Sequence, residues 1–280
     1  MIIKFYGTRG SIPVCSPEFQ EFGGNTTCVQ IRIKETNNIG ILDAGTGIRV
    51  LGKDFLASRH QQSEIFIAFT HFHWDHIQGF PFFSPAFIKN QNIYLLALGW
   101  GRRLHSLEDI FKTQMQKEYF PIQLEKMGAK FHFMLLNETK KNLEPDVEDS
   151  KPVIIKANKH KHPGGAYGYR IERDGKIFVF CTDVEHGDSI DSNVVKLAEG
   201  ADLLVHEAQY TSEELKNKKG WGHSSYEQAI EVAERANVKM IAITHHDPDH
   251  DDEFLKKQEK ECQKRFKDCV FAREKMEIEI

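Results

Sequence analysis

The sequence concentrates ligand-type side chains in one short segment, THFHWDH at residues 70–76. Imidazole nitrogens and carboxylate oxygens are donors that suit zinc and similar divalent cations. The candidates in this segment are His71, His73, Asp75 and His76. Adjacent Asp75 and His76 cannot easily join His71 and His73 on one tetrahedral ion. The spacing therefore predicts that the ligands are divided between two neighbouring ions.

A local pattern recurs along the chain, in which an apolar strand is followed by threonine and then by a ligand-type side chain. The side chains placed in this way are His71, Asp183 and His245. Strand ends from distant parts of a chain can meet at one edge of a sheet, and rigid elements hold their side chains in fixed geometry. The two carboxylate oxygens of Asp183 also allow it to bridge two ions. The pattern predicts a shared metal site.

The elements needed to position these residues follow from hydrophobic periodicity. Strands are predicted at residues 2–6, 28–34, 40–42, 65–69, 92–97, 130–136, 167–172, 176–181, 202–206, 239–244 and 276–280. Helices are predicted at residues 48–58, 104–128, 190–199, 226–237 and 251–267, and an exposed connector at residues 137–151. Two strand-rich halves with interspersed helices predict two packed sheets covered by helices. No change in composition divides the chain, so we expect a single domain over residues 1–280.

Composition excludes several classes of protein. Hydrophobic residues make up 40% of the 280 residues and charged residues 28%, which is typical of a globular protein rather than a disordered one. No apolar stretch approaches the roughly 20 residues of a membrane span. The net charge of −4 predicts no bulk capture of nucleic acid. The chain starts with no export signal and has five widely spaced cysteines, so we expect reduced thiols and a cytoplasmic location.

The His-x-His-x-Asp-His pattern resembles the signature of the metallo-β-lactamase superfamily. The resemblance implies an αββα four-layer sandwich, two mixed β-sheets flanked by helices, with a dinuclear site at the sheet edge. It implies that His71, His73 and a third histidine bind one metal. It also implies that Asp75, His76 and His245 bind the other and that Asp183 bridges the two. Histidine rather than glutamate at position 73 favours zinc, with manganese or iron as alternatives.

The third histidine lies in the segment KHKHPGG at residues 159–165. We expect His162, because in similar sequences the ligand directly precedes Pro-Gly-Gly; His160 is the alternative. We expect His246, beside His245, to remain outside the first ligand shell. Asp43 follows a strand and is either a hydrogen-bond acceptor for a ligand imidazole or a plain turn residue.

Two later segments resemble the ribonuclease Z-like phosphodiesterases within the superfamily, namely 206–208 (HEA) and 222–225 (GHSS). Gln209 departs from the threonine of that motif, so the match is partial. The resemblance implies that His223 is the general acid and that Glu207 orients it. Ser224 with Glu227 predicts a capping box, which would place His223 before a helix N-terminus that favours an anion such as phosphate. The opposing effects of that helix and of Glu207 predict a pKa near neutrality for His223.

The predicted function is hydrolysis of a small phosphodiester through attack by a hydroxide that bridges two divalent cations. Asp75 would hold the second metal and orient the hydroxide. The chain has no long Gly/Pro-rich arm for transfer RNA, so a cyclic nucleotide is the preferred substrate. A ribonuclease Z-like nuclease that processes RNA 3′ ends and a thioester or lactone hydrolase are the alternatives, and a metal-binding protein without catalysis is disfavoured. We expect no membrane partner. The resemblance implies a homodimer, with residues 99–128 as a helical lid or dimer contact.

Overall fold

The computed structural model describes residues 1–34, 36, 38–58, 64–98, 107–136 and 153–280. Its strands are β1 (Ile2–Gly7), β2 (Cys28–Arg32), β3 (Ile39–Leu42), β4 (Ile65–Ala68), β5 (Asn92–Leu98), β6 (Lys130–Leu136), β7 (Ile154–His160), β8 (Ala166–Arg173), β9 (Lys176–Cys181), β10 (Leu203–Glu207), β11 (Ile241–Thr244), β12 (Cys269–Phe271) and β13 (Glu277–Glu279). The helices are α1 (Ile48–Ala57), α2 (Trp74–Ile77), α3 (Leu107–Gln114), α4 (Ser192–Ala198), α5 (Ser212–Leu215), α6 (Tyr226–Arg235) and α7 (Asp252–Arg265). None of the described helices has the length and hydropathy needed to cross a membrane.

The strands form two mixed sheets. The first has seven strands in the order β13-β1-β2-β3-β4-β5-β6, and the second has six in the order β12-β11-β10-β9-β8-β7. From β3 to β6 and from β9 to β12 the neighbouring strands are parallel, whereas the remaining pairs are antiparallel. Parallel strands place their carboxyl ends at one edge, which is the arrangement that the strand-end ligands require.

Three apolar cores hold the layers together. The central core lies between the sheets and includes Phe5 and Leu42 from one sheet and Phe180 and Val205 from the other. A second core packs α1 and α3 on the outer face of the first sheet, and a third packs α4, α6 and α7 on the second. The order of layers is therefore helix, sheet, sheet, helix, and the predicted αββα sandwich is confirmed.

Several predicted elements differ from the structure. The helix predicted over residues 104–128 is α-helical only in α3 among the described residues. α3 ends at Gln114 and turns follow it, and Pro121 cannot lie inside a continuous helix. β7 and β12, which are the edge strands of the second sheet, were not predicted. β7 has no clear alternation of apolar and polar residues, and β12 has only three residues, so neither gives a clear periodic signal. The 137–151 connector lies outside the described residues.

The start of α6 also differs from the prediction. Its N-cap is Ser225, and the capping box pairs Ser225 with Gln228 rather than Ser224 with Glu227. The Ser224 hydroxyl instead donates a hydrogen bond to the Val184 carbonyl at 2.5 Å. His223 therefore lies two residues before the N-cap, and its link to the helix dipole is weaker than predicted.

Candidate metal centre

The ends of β4, β9 and β11 bring most of the predicted ligands to one edge of the sandwich. The 70–76 segment follows β4, Asp183 follows β9, and His245 follows β11. His162 arrives from the turn between β7 and β8. The histidines and aspartates assemble into three overlapping groups in which all ligand-type atoms lie within 4.8 Å of one another, and the third contains Asp183, His223 and His245.

The first group contains His71, His73, His162 and Asp183. The Nε2 atom of His71 lies 3.7 Å from Asp183 Oδ1, and that of His162 lies 3.8 Å from the same oxygen. His162 Nε2 and His73 Nδ1 are 3.0 Å apart. His73 is exposed whereas the others are buried, so this group opens toward solvent.

The second group contains Asp75, His76 and His245 and lies on the other side of Asp183. Asp75 Oδ2 lies 3.3 Å from His76 Nε2 and 3.1 Å from His245 Nε2. Asp183 Oδ2 lies 3.1 Å from His76 Nε2 and 3.5 Å from His245 Nε2. Asp183 thus directs Oδ1 to the first group and Oδ2 to the second.

The donor set fits divalent cations. The Nε2 atoms of His71 and His76 are buried and have no hydrogen-bond partner within the described part of the chain. Burial raises the pKa of Asp183, but His245, His76 and His71 outweigh it and hold that pKa well below its usual range. Against the effect of burial, the carboxylates around His76 and His245 raise the pKa values of these imidazoles, so binding of zinc or a related metal would displace their protons.

Contacts behind the cluster orient the imidazoles. His76 Nδ1 lies 2.8 Å from Asp43 Oδ2, and the backbone N–H and hydroxyl of Thr70 each donate to Asp43 at 2.8 Å. Asp43 is therefore the hydrogen-bond partner of a candidate ligand and not a plain turn residue. His162 Nδ1 lies 2.8 Å from the Gly222 carbonyl oxygen. These contacts leave each Nε2 atom facing the cluster.

Two alternative histidines lie outside the cluster. His160 Nε2 lies 2.9 Å from the Thr182 carbonyl oxygen, and His246 Nε2 lies 3.0 Å from the Ala272 carbonyl oxygen. The Nε2 atom of each of these rings is thus used for a backbone contact. The geometry favours His162 and His245 over their neighbours as ligands.

His223 and Glu207 lie beside Asp183. His223 Nδ1 is 3.9 Å from Asp183 Oδ1 and 3.9 Å from Glu207 Oε2, which is too long for a hydrogen bond. Glu207 Oε1 accepts hydrogen bonds from the backbone N–H groups of Val184 at 3.1 Å and Ser224 at 2.7 Å. Glu207 therefore holds the segment that carries His223 rather than the imidazole itself.

Burial dominates the protonation of this pair. It lowers the pKa of His223 to about 3, against the opposing effect of Asp183, and raises the pKa of Glu207 to about 8. The predicted near-neutral pKa of His223 is wrong, because the sequence could not show that the side chain is 8% exposed. At neutral pH the proton of the pair lies on Glu207.

Some residues of the site were not predicted. The backbone N–H of Ser11 donates to Asp75 Oδ2 at 2.8 Å, and Gln209 donates to the Ser11 hydroxyl at 3.0 Å. Gly10 packs so closely on His245 that a Cβ would lie 2.4 Å from the ring. Apart from the Gln209–Ser11 hydrogen bond, which joins two side chains, these contacts come from a backbone N–H or from the absence of a side chain. Only the glycine-rich opening of the chain could have indicated them.

Comparison with known proteins identifies the family of the chain. The family model for the β-lactamase superfamily domain matches residues 40–256. The chain therefore belongs to the metallo-β-lactamase superfamily and is a metal-dependent hydrolase of that fold.

Its relatives include the ribonuclease Z of Lactococcus lactis subsp. lactis, which is 27% identical, with 88% of each chain covered. Among solved structures, the short form of human tRNase Z has a TM-score of 0.68 at 20% identity, covering 100% of this chain and 99% of that one. A diphosphatase of the PhnP family has a TM-score of 0.67 at 16% identity, covering 100% of this chain and 97% of that one. At these identities the structural likenesses establish the fold alone.

Proposed function

We propose that the chain is a dinuclear metal-dependent phosphodiesterase. The observation that carries the proposal is Asp183, which directs one carboxylate oxygen to each of two ligand groups. His71, His73 and His162 would hold one cation with Asp183, and Asp75, His76 and His245 would hold the other. Zinc is the proposed metal because imidazole nitrogens dominate the donor set. Two such cations, when bound, activate water and neutralise charge on a phosphoryl group.

The chain's own residues would position the substrate and move the proton. The Ser11 N–H fixes Asp75, so its carboxylate keeps one orientation at the second ligand group. His223 faces Asp183 at the edge of both groups and is the proposed donor of a proton to the leaving oxygen. Glu207, whose pKa burial raises to about 8, lies 3.9 Å from His223 Nδ1, so a proton would pass from Glu207 to His223 only after the two side chains close to hydrogen-bond distance. In this proposal Glu207 supplies a proton to His223 and does not orient the imidazole through a hydrogen bond.

A small phosphodiester, with a cyclic nucleotide first, is the proposed substrate. The net charge of −4 argues against the electrostatic capture of a long RNA. Processing of RNA 3′ ends is the second candidate, and the curated relatives named ribonuclease Z favour it. The test is a panel of bis(p-nitrophenyl) phosphate, cyclic AMP, cyclic GMP and precursor transfer RNA with the metal-loaded protein.

Turnover of cyclic nucleotides without release of RNA 3′ trailers supports the first candidate, and the reverse pattern supports the second. Hydrolysis of thioesters or lactones with no turnover of any phosphodiester would contradict both. Asp183→Asn is expected to abolish activity toward every substrate. Asp188→Asn, an exposed change nearby in the chain, serves as the matched control.

We also infer a homodimer from the family resemblance, with residues 99–128 as a lid or contact segment. Within this range the structure describes α3 and the residues after it, and residues 99–106 lie outside the described part. Light scattering at several protein concentrations tests the inference. A monomer at all concentrations would overturn it.

A further inference from the structure

Three neighbouring side chains are not used by the proposed chemistry, and one of them, Tyr210, lies beside His223. The Lys218 ammonium lies 3.9 Å from the centre of the Trp221 ring and 5.9 Å from the centre of the Tyr210 ring. The Tyr210 ring centre is in turn 6.0 Å from that of His223. We call Tyr210, Lys218 and Trp221 the rim cluster.

Trp221 is exposed although its backbone is fixed. Its side chain is 59% exposed, and its backbone N–H donates to the Lys218 carbonyl at 3.1 Å. The next residue is Gly222, whose carbonyl oxygen holds His162. Its φ of 94° and a space in which a Cβ would lie 2.3 Å from His162 Nδ1 require glycine. The backbone that follows Trp221 therefore packs against a candidate metal ligand, and much of the indole surface is open to solvent.

Lys218 differs from its neighbours in the basic run at residues 216–219. Lys216 pairs with Glu213, and Lys219 pairs with Asp188 at 3.2 Å. Among the described residues, no carboxylate lies within ion-pair distance of the Lys218 ammonium, which faces aromatic rings instead. A positive charge without a carboxylate partner and an open indole surface thus lie together.

We propose that the rim cluster binds a nucleoside attached to the leaving oxygen, with the base stacked on Trp221 and Lys218 attracting nucleotide phosphate. This inference rests on the proposed role of His223. A residue that protonates the leaving oxygen must be near the group that this oxygen carries. The rim cluster reaches His223 through Tyr210. Stacking on an aromatic side chain is available to every nucleobase. The substrate class is therefore a nucleotide phosphodiester, either a small nucleotide or an RNA end.

Binding measurements on the metal-loaded protein test the proposal without turnover. Calorimetry with AMP and with inorganic phosphate is expected to show tighter binding of AMP. Trp221→Ala should weaken AMP binding about 5- to 150-fold, which corresponds to the ~1–3 kcal/mol of one base stack. The same variant should leave phosphate binding unchanged, and Trp221→Phe should keep most of the AMP affinity. Equal binding of AMP and phosphate by the wild type would overturn the proposal.

Phe87→Ala is the matched control, because Phe87 is an aromatic residue that is 40% exposed and belongs to neither the ligand groups nor the rim cluster. It should leave the AMP preference intact, and loss of that preference in this variant alone would overturn the assignment. Lys218→Met is expected to weaken the salt dependence of AMP binding. An unchanged dependence would remove Lys218 from the site.

Kinetics separate this inference from the proposed function and identify the nucleotide source. With cyclic AMP and with a short RNA, Trp221→Ala should raise KM and leave kcat unchanged for whichever compound is hydrolysed. Hydrolysis with unchanged KM would overturn the rim cluster and leave the proposed function intact. No hydrolysis of any phosphodiester by the loaded wild type would overturn the function itself.

Discussion

Two imidazoles that face the metal cluster are each oriented by a hydrogen-bond contact at the ring nitrogen that points away from it. His76 is held by Asp43 and His162 by the Gly222 carbonyl. Such contacts set which nitrogen faces a metal and so govern affinity as directly as the ligands do. His223 Nδ1 has no hydrogen-bond partner within the described residues and lies 3.9 Å from Asp183 Oδ1.

The variant His223→Ala should distinguish a role of His223 in proton transfer from a role in metal binding. If His223 is the general acid, turnover of a cyclic nucleotide should fall roughly 100- to 10,000-fold while metal content is unchanged. Bis(p-nitrophenyl) phosphate should be less affected, because its leaving group needs little protonation. Steady-state kinetics and elemental analysis of the same preparation measure both. Equal losses on the two substrates, or loss of metal, would assign His223 another task.

The pH dependence of turnover should depend on Glu207. Burial raises its pKa to about 8, so the carboxyl is protonated below that pH and ionised above it. Turnover that needs this proton should decline as the pH rises through about 8. Glu207→Gln cannot ionise, so its reduced activity should lose that alkaline limb. A pH–rate profile measures both, and an alkaline limb that persists in the variant would exclude Glu207 as its source.

The loop after β11 is held by the loop after β1. Arg9 is 0% exposed, and its guanidinium donates to the carbonyls of Gly23 at 2.7 Å, Asp247 at 3.0 Å and His250 at 2.7 Å. The backbone N–H of Gly10 also donates to the His246 carbonyl at 2.9 Å. His245 is thus positioned by a segment far from it in the sequence.

Arg9→Met should loosen the second ligand group more than the first. The variant is expected to bind its second metal more weakly, because His245 belongs only to that group, whereas the first metal should be retained. Metal titration by calorimetry measures the two affinities separately. Arg32→Met, a partly exposed change in β2, is the control. Equal weakening of both sites would indicate general destabilisation instead.

Two further buried histidines, His186 and His206, lie outside the ligand groups. His186 and His206 stack with ring centres 5.4 Å apart, and burial lowers their pKa values to about 4 and about 3. Because the folded pKa lies below the unfolded value of 6.5, the folded state binds fewer protons at acidic pH. Stability is therefore fully present above pH 6.5 and is lost as the pH falls toward 4.

For His186 the loss amounts to about 3 kcal/mol at pH 4. His186→Gln keeps an acceptor for the Asp191 N–H but cannot titrate, so the unfolding free energy should fall less steeply between pH 6.5 and 4. Denaturant unfolding at several pH values measures this slope. Parallel slopes for the wild type and the variant would show that His186 does not cause the loss.

For the whole molecule, the sequence predicted features that depend on local patterns. The apolar strands, the threonine that follows them and the ligands at their ends lie in the sandwich as their periodicity indicated. Features that depend on tertiary contact were missed. They include the edge strand β7, the shortened α3, the burial that lowers the pKa of His223, and the Ser11 N–H that holds Asp75. No pattern of residue types encodes which backbone atom will reach a distant carboxylate.

The assembly of both ligand groups around one carboxylate is best tested by diffraction from metal-loaded crystals at the zinc absorption edge. The account predicts two anomalous peaks per chain, roughly 3.5–4 Å apart, on either side of Asp183. Elemental analysis of the same protein should give two ions per chain, and Asp183→Asn should bind fewer. A single peak, or peaks remote from Asp183 at saturating zinc, would contradict it.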